Sequence, residues 1–227
     1  MDGFYDLIEK YRKKIIIFLI AYAILAIGAY FATPYLIGYL RLLLNGQKLY
    51  QTEVAEGFII RFEMALMIAG VIAFFVLLFI VLKKRNSKKI ALIIISAVVL
   101  FACGAMFSYF VLLPSAIKVL IGLLPYELHI SVSSFVIFCS VMMLVIGIMF
   151  EEPLVIYVLY RAGIIKPEFL KSKRRAVYIT MLIVMAVITP SQDALTLIIS
   201  MIPFVILYEG ALLWISMLEG KKKDEQH

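Results

Sequence analysis

The chain has 227 residues, of which 64% are hydrophobic and only 16% charged, with a mean hydropathy of +1.05. That balance excludes a water-soluble domain, which needs a polar shell, and it excludes disordered, collagen-like and disulfide-scaffold chains as well. The formal net charge of +7 does not point to a nucleic-acid partner, because in a membrane chain the basic residues are distributed by topology.

Six apolar stretches fill most of the sequence, and the basic residues alternate between the segments that join them. Lys10, Arg12, Lys13 and Lys14 precede the first stretch, five more lie in 83–89, six in 161–175, and Lys221, Lys222 and Lys223 close the chain. The intervening segments hold only Arg41, Lys48 and Lys118. Lys and Arg resist translocation, so the rich segments and both termini are expected on the cytoplasmic side, as six spans require. The predicted fold class is an all-α membrane protein, a single domain over 1–227 with spans 15–33, 57–82, 90–113, 135–160, 176–189 and 196–217 and a basic cytoplasmic tail, 218–227.

In chain order, the first span follows a basic segment but is too long for the apolar core of a cleaved leader, and its removal would break the charge alternation. Segment 34–56 carries Tyr35, Leu36, Tyr39 and Leu43 at helical spacing, and with 114–134 it is expected to form amphipathic cap helices on the outer surface. Arg61 and Glu63, two residues apart near the outer end of the second span, lie on roughly opposite helix faces and are expected to snorkel. The fourth span contains GIMFEEPLVIYVL, where Pro153 is expected to kink the helix. Either this span ends near 150 and both glutamates are interfacial, or it continues past Pro153 and sets at least one carboxylate, Glu151 or Glu152, at depth. The fifth span, about 14 residues, reaches only about 21 Å, so the bilayer is expected to thin there. Glu209, inside the sixth span in FVILYEGALLW, should face the protein interior, protonated or hydrogen-bonded.

Enzyme readings fail on inventory. The two histidines, His129 and His227, cannot build a zinc HExxH site or an intramembrane serine–histidine dyad. An EExxxR peptidase pattern is absent because Ile156 stands at the arginine position. Cys103 and Cys139 both lie in apolar stretches, as small hydrophobes do. With no glycine-rich phosphate loop either, no cofactor and no metal are expected.

In their order, these elements resemble the TatC family, the multispanning core of the twin-arginine protein translocase. The most specific segments are GIMFEEPLVIYVLYRAGIIKPEFLKSKRR, similar to the family's F-E-x-P followed by Y-x-L-x-x-x-G-[IV], and ITPSQDALTLIISMIPFVILYE, similar to its T-P-x-x-D, proline and Y-E pattern. GAMFSYFVLLP and TEVAEGF add weaker support. The resemblance implies six helices in a concave, glove-like bundle in a prokaryotic cytoplasmic membrane, no catalysis, and recognition of folded cargo through signal peptides carrying two consecutive arginines. It implies that Glu9 binds the arginines, that Glu151 is an intramembrane polar contact, and that Asp193 and Thr196, with Gln192 nearby, dock TatA/TatB-type single-span partners in a homo- or hetero-oligomer; Asp6 is expected as a second arginine contact because the loop between spans two and three lacks an acid.

This chain departs from the family pattern in places. The loop between spans two and three usually carries a second signal-binding glutamate, but KKRNSKK has Asn86 or Ser87 there, so five positive charges face the arginines without an acid. Glu63 stands where the family has lysine, Leu197 where it has glutamine, and Glu152 where it is usually apolar. A divergent member is expected. Two other readings are a non-translocating assembly subunit of the same fold and a small proton-coupled transporter using Glu151, Glu209 and Asp193.

Overall fold

The computed structural model describes residues 2–44, 49–51, 54–82, 87–122, 130–188 and 194–224, with side chains given for all but 2–11, 13–15, 78–82, 87–90, 194–196 and 221–224. Eight α-helices account for most of these residues, and the fold class is the all-α membrane architecture expected from composition. The chain divides into two compact units: residues 1–90 with 129–137, and residues 91–128 with 138–227.

In the first unit, α1 (Asp2–Arg41) is followed by a 3-10 turn, Leu42–Leu44, a two-residue strand β1 (Leu49–Tyr50) and α2 (Glu56–Leu82). The expected break between the first span and an outer cap helix at residue 34 is absent, because α1 runs straight through Pro34 to Arg41. Pro34 has no N–H for the carbonyl of Tyr30, and in lipid that orphan acceptor would destabilise the helix by several kcal/mol. The Thr33 hydroxyl takes over, donating to the Tyr30 carbonyl at 2.7 Å, and Thr33 is fully buried. Helices α1 and α2 pack closely. Ala65, Ala69 and Ala73 are buried at four-residue spacing on α2, which lets the backbones approach where lipid supplies no hydrophobic drive. The Tyr22 hydroxyl donates to the Leu66 carbonyl at 3.0 Å, and the Tyr30 and Phe58 rings lie 6.2 Å apart.

β1 pairs in parallel with β2 (Ile130–Ser131), Leu49 opposite Ile130 and Tyr50 opposite Ser131. This bridge joins the two segments that connect α1 to α2 and α4 to α5 (Val132–Phe150).

The second unit holds most of α3 (Ser87–Phe107), a π-helical turn (Ser108–Leu112), α4 (Leu113–Gly122), the later part of α5, and then α6 (Glu152–Arg161), α7 (Pro167–Ile188) and α8 (Ala194–Asp224). The third span was expected to end at 113, yet helical backbone continues to Gly122 despite Pro114. The π turn accommodates the proline, with the Leu113 N–H donating five residues back to the Ser108 carbonyl. Helices α3 and α5 cross at two glycines: a Cβ on Gly104 would sit 2.9 Å from Gly147 Cα and the Ile146 carbonyl, and one on Gly147 would sit 2.6 Å from the Phe101 ring. Below the crossing, Phe107, Phe150 and Phe204 gather with centroids 5.3 to 6.3 Å apart. The α6–α7 turn is a Schellman cap: Gly163 has φ of 76°, its N–H reaches the Tyr160 carbonyl, and the Ile164 N–H reaches that of Leu159.

Among the described residues, five stretches are long and apolar enough to cross a membrane: Ile16–Leu44, Glu56–Leu77, Ala91–Gly122, Val132–Arg161 and Leu197–Gly220. Helix α7 falls short because Glu168, Lys171, Lys173, Arg174 and Arg175 occupy its first half. Its apolar part begins only at Ala176.

The α3–α5 crossing generates a stability prediction. Gly147→Val forces a branched side chain against the Phe101 ring and should destabilise the detergent-solubilised protein by about 1–3 kcal/mol. Gly28→Ala, which meets nothing within 4 Å, should leave the thermal midpoint unchanged or slightly raised.

Candidate functional site

Glu151 marks the boundary between α5 and α6. Pro153 sits in the first turn of α6 and cannot donate to the carbonyl of Met149, so α5 stops and α6 restarts rather than running through. The Glu151 N–H instead donates to the Ile148 carbonyl, and the Glu151 carbonyl accepts from Leu154 and Val155. A tight turn therefore holds Glu151 in place within the apolar stretch Val132–Arg161. Helical backbone resumes past Pro153, inside one apolar stretch that runs to Arg161. The Glu151 side chain is only 9% exposed, and its Oε1 has no hydrogen-bond partner. Glu152, one position on, is half-buried. An unsatisfied carboxylate oxygen in an apolar surround is energetically costly and leaves an acceptor open to a donor from another chain.

Glu209 is differently placed. Its Oε2 accepts from Arg174 Nη2 at 2.9 Å and its Oε1 from the Tyr178 hydroxyl. Arg174 and Tyr178 are one turn apart on α7 and so present to the same neighbour. One turn earlier, the Leu170 carbonyl accepts from the buried Tyr208 hydroxyl at 3.0 Å, and the Tyr178 and Tyr208 rings meet edge to face at 5.9 Å. Positions 170, 174 and 178 thus form a polar seam against 208 and 209. Glu209 lies eleven residues inside Gly220, the end of the α8 apolar stretch, or about 16 Å by helical rise. Its partner Arg174 belongs to the charged half of α7, so polar side chains reach well into α8's apolar length. Glu151 and Glu209 do not share a constellation: Glu209 is satisfied by α7, and Glu151 keeps an open oxygen.

The remaining sequence-predicted residues are only partly placed. Asp6 and Glu9 lie in the helical backbone of α1 and Thr196 in the first turn of α8, with their side chains outside the described residues. Gln192 and Asp193 fall outside the described residues, as do positions 83–86 of the basic loop. Among the described residues, no group of three or more His, Cys, Asp or Glu side chains suits a metal ion.

One buried acid escaped the sequence analysis as a site. Glu56, only 6% exposed at the start of α2, accepts from the Ser131 hydroxyl at 2.6 Å and the Ser133 N–H at 2.7 Å. It thereby caps the N-terminus of α5 with a carboxylate from another helix, satisfying a free N–H and opposing the positive end of the helix dipole. The signal was present in TEVAEGF, but it identified a segment and gave no partner, since Ser131 and Ser133 lie over seventy positions away.

A multispanning helical membrane protein with a proline-broken span and a glutamate at the break is the class these features define. Residues 6–203 match the sequence profile of the Sec-independent protein translocase protein (TatC), and the chain belongs to that family. Membership places it among protein translocase components rather than enzymes. The TatC protein of Aquifex aeolicus is 36% identical over 138 residues, covering 59% of this chain and 57% of its own length. That of Carboxydothermus hydrogenoformans is 27% identical over 96% of this chain and 94% of its own. A crystal structure of the twin-arginine translocase receptor TatC in the detergent DDM superposes with a TM-score of 0.75 at 27% identity, covering 92% of this chain and 98% of that one. The matched region spans less than two thirds of several curated relatives, among them the Aquifex protein and, at 49%, that of Halalkalibacterium halodurans.

The Glu56 cap should be measurable. Glu56→Ala strands the Ser131 hydroxyl and the Ser133 N–H and is expected to cost about 2–3 kcal/mol, because hydrogen bonds to a charged acceptor are the stronger kind. Glu56→Gln, which keeps one acceptor, should recover more than half of that in the same unfolding assay.

Proposed function

We propose that this chain is the core and receptor subunit of a twin-arginine translocase, binding the signal peptides of folded proteins at the cytoplasmic membrane and nucleating the translocation complex. Membership of the TatC family across residues 6–203 carries the reading, and the likeness to the twin-arginine translocase receptor over nearly its whole length supports it. The basic segments orient both termini toward the cytoplasm. Signal arginines approach at that surface, where Glu9 with Asp6 offers carboxylates in the bidentate geometry that guanidinium prefers. The apolar part of the signal, or a partner helix, inserts deeper and meets Glu151, whose open Oε1 takes a donor from it. Asp193, Thr196 and Gln192 at the opposite end dock the single-span TatA/TatB-type partners. A non-translocating assembly subunit is a second reading, favoured by one observation: the segment 83–89 carries five basic residues and no acid.

Two measurements test these roles. The purified protein in nanodiscs should bind a twin-arginine signal peptide at least about tenfold more tightly than its twin-lysine form, because lysine lacks the planar fork. Glu9→Gln should abolish that preference; equal binding of both peptides by the unaltered protein decides for the assembly subunit. In a site-specific crosslinking assay, Glu151→Ala should lose the partner-helix or signal adduct while Glu152→Ala largely keeps it. Equal tolerance of the two changes would remove Glu151 from the site.

A further inference from the structure

Where α6 and α8 run side by side toward their basic ends, the chain's single tryptophan, Trp214, stacks on Tyr157. Their centroids are 5.1 Å apart and the planes 13° from parallel. One turn beyond Tyr157, Arg161 lies over the same ring at 5.8 Å from its centroid and donates from Nε to the Tyr157 hydroxyl at 3.2 Å. Tyr157 is the tyrosine of the Y-x-L-x-x-x-G-[IV] pattern, to which the resemblance attaches no role, Arg161 fills one of its variable positions, and none of the three belongs to the site around Glu151. Trp214 is 54% exposed and Arg161 is exposed, so the stack is not a packing device of the interior.

The ladder lies near the basic ends of two apolar stretches. Arg161 is the last residue of the apolar stretch Val132–Arg161, and Trp214 lies six residues inside Gly220, the end of Leu197–Gly220, or about 9 Å by helical rise. Tryptophan and tyrosine favour that level because one edge of each ring is apolar and the other polar. Exposed Val155, Val158, Leu213 and Met217 flank it on the same two helices, as a surface in contact with acyl chains requires. The guanidinium is held by Tyr157 through Nε, which leaves both terminal nitrogens for a second ligand, and among the described residues Arg161 forms no ion pair with an acid. On α8, Glu219 is about 140° around the helix from Trp214, whereas Lys221 is within about 20° of it.

We propose that Tyr157, Arg161 and Trp214 form a binding site for the phosphate of an anionic phospholipid headgroup. The terminal nitrogens of Arg161 grip the phosphate oxygens, and Trp214 and Tyr157 lie against the glycerol backbone and the upper acyl chains. The occupant is a lipid rather than a soluble phosphate because the charged end and the apolar walls belong to one continuous surface, matching a molecule that has both parts. Basic clusters between helices at the cytoplasmic face are suited to such headgroups.

The single tryptophan supplies the readout. The full chain is reconstituted in phosphatidylcholine vesicles containing the same mole fraction of lipid brominated on the acyl chains, either as phosphatidylglycerol or as phosphatidylcholine, and Trp214 fluorescence is measured. Brominated phosphatidylglycerol should quench about twofold or more over brominated phosphatidylcholine. Arg161→Gln should bring the ratio to one, whereas Lys171→Gln, which removes an exposed charge on α7, should leave it unchanged; unaltered circular dichroism confirms folding. Should Arg161→Gln fail to reconstitute, Arg161→Lys replaces it and should lose at least half of the preference, since a point charge lacks the fork. Equal quenching by the two lipids, or a ratio that Arg161→Gln and Lys171→Gln lower alike, overturns the site. Reversal of the preference by millimolar glycerol phosphate would show that a soluble phosphate is the ligand, and the lipid assignment would fall. Signal-peptide binding plays no part in this readout, so failure here leaves the receptor role standing and failure there leaves this site standing.

Discussion

Lipid offers no hydrogen bonds, and each backbone N–H or C=O within the apolar thickness must be satisfied by the protein itself. This constraint governs how the chain uses its prolines. At Pro34 the remedy is a neighbouring hydroxyl, and α1 continues. At Pro114 it is a wider turn of helix that re-pairs the backbone five residues back. At Pro153 it is a full stop, with the backbone of Glu151 serving both the outgoing and the incoming helix. The three solutions have different consequences. The first two keep a long helix intact, and the third makes a rigid irregular point inside a span and places a carboxylate there.

The two glutamates set within apolar stretches of the second unit illustrate opposite uses of the same side chain. Glu209 is saturated by Arg174 and Tyr178, and its contribution is to align α7 with α8, an ion pair of this exposure being worth about 1 kcal/mol or less in water and more where lipid replaces it. Glu151 is left incomplete. A chain that needs only stability would fill both acceptors of a buried acid or replace it with an apolar residue, and an acceptor kept open is suited to a partner that arrives later. The arginine contact also explains why α7 tolerates so short an apolar stretch: its charged half has an anionic partner deep on α8, so polar groups at that level are neutralised rather than exposed to acyl chains.

The sequence made the class and the irregularity at Pro153 legible, because each rests on properties of contiguous residues: apolar length and a missing N–H. Helix ends were less legible. The ends drawn at 33 and 113 from apolar length are bridged by continuous helical backbone, and the remedies that bridge them depend on a hydroxyl rotamer and on a change of helical pitch that no composition reveals. Partnerships across helices were least legible. Glu56 reads as an ordinary first-turn acid until Ser131 and Ser133 come beside it, and Glu209 reads as a buried anomaly until Arg174 does. Asp6 and Glu9 were assigned through family resemblance, and their placement on one helix comes from the continuity of α1.

That continuity has a mechanical side. Forty residues of helix make a rod of about 60 Å, twice the thickness of the hydrocarbon, so roughly half its length projects beyond the lipid. Residue 28 is near the middle of the apolar stretch Ile16–Leu44, and Glu9 lies nineteen positions away, about 29 Å along the axis. A tilt of about 10° around that midpoint therefore carries Glu9 sideways by about 5 Å, a full side-chain width, without any residue between the two changing conformation. Rocking of α1 as one rod about that midpoint couples its two ends, so a small sideways shift of the end that leads into β1 accompanies a larger, opposite shift of the end that bears Glu9.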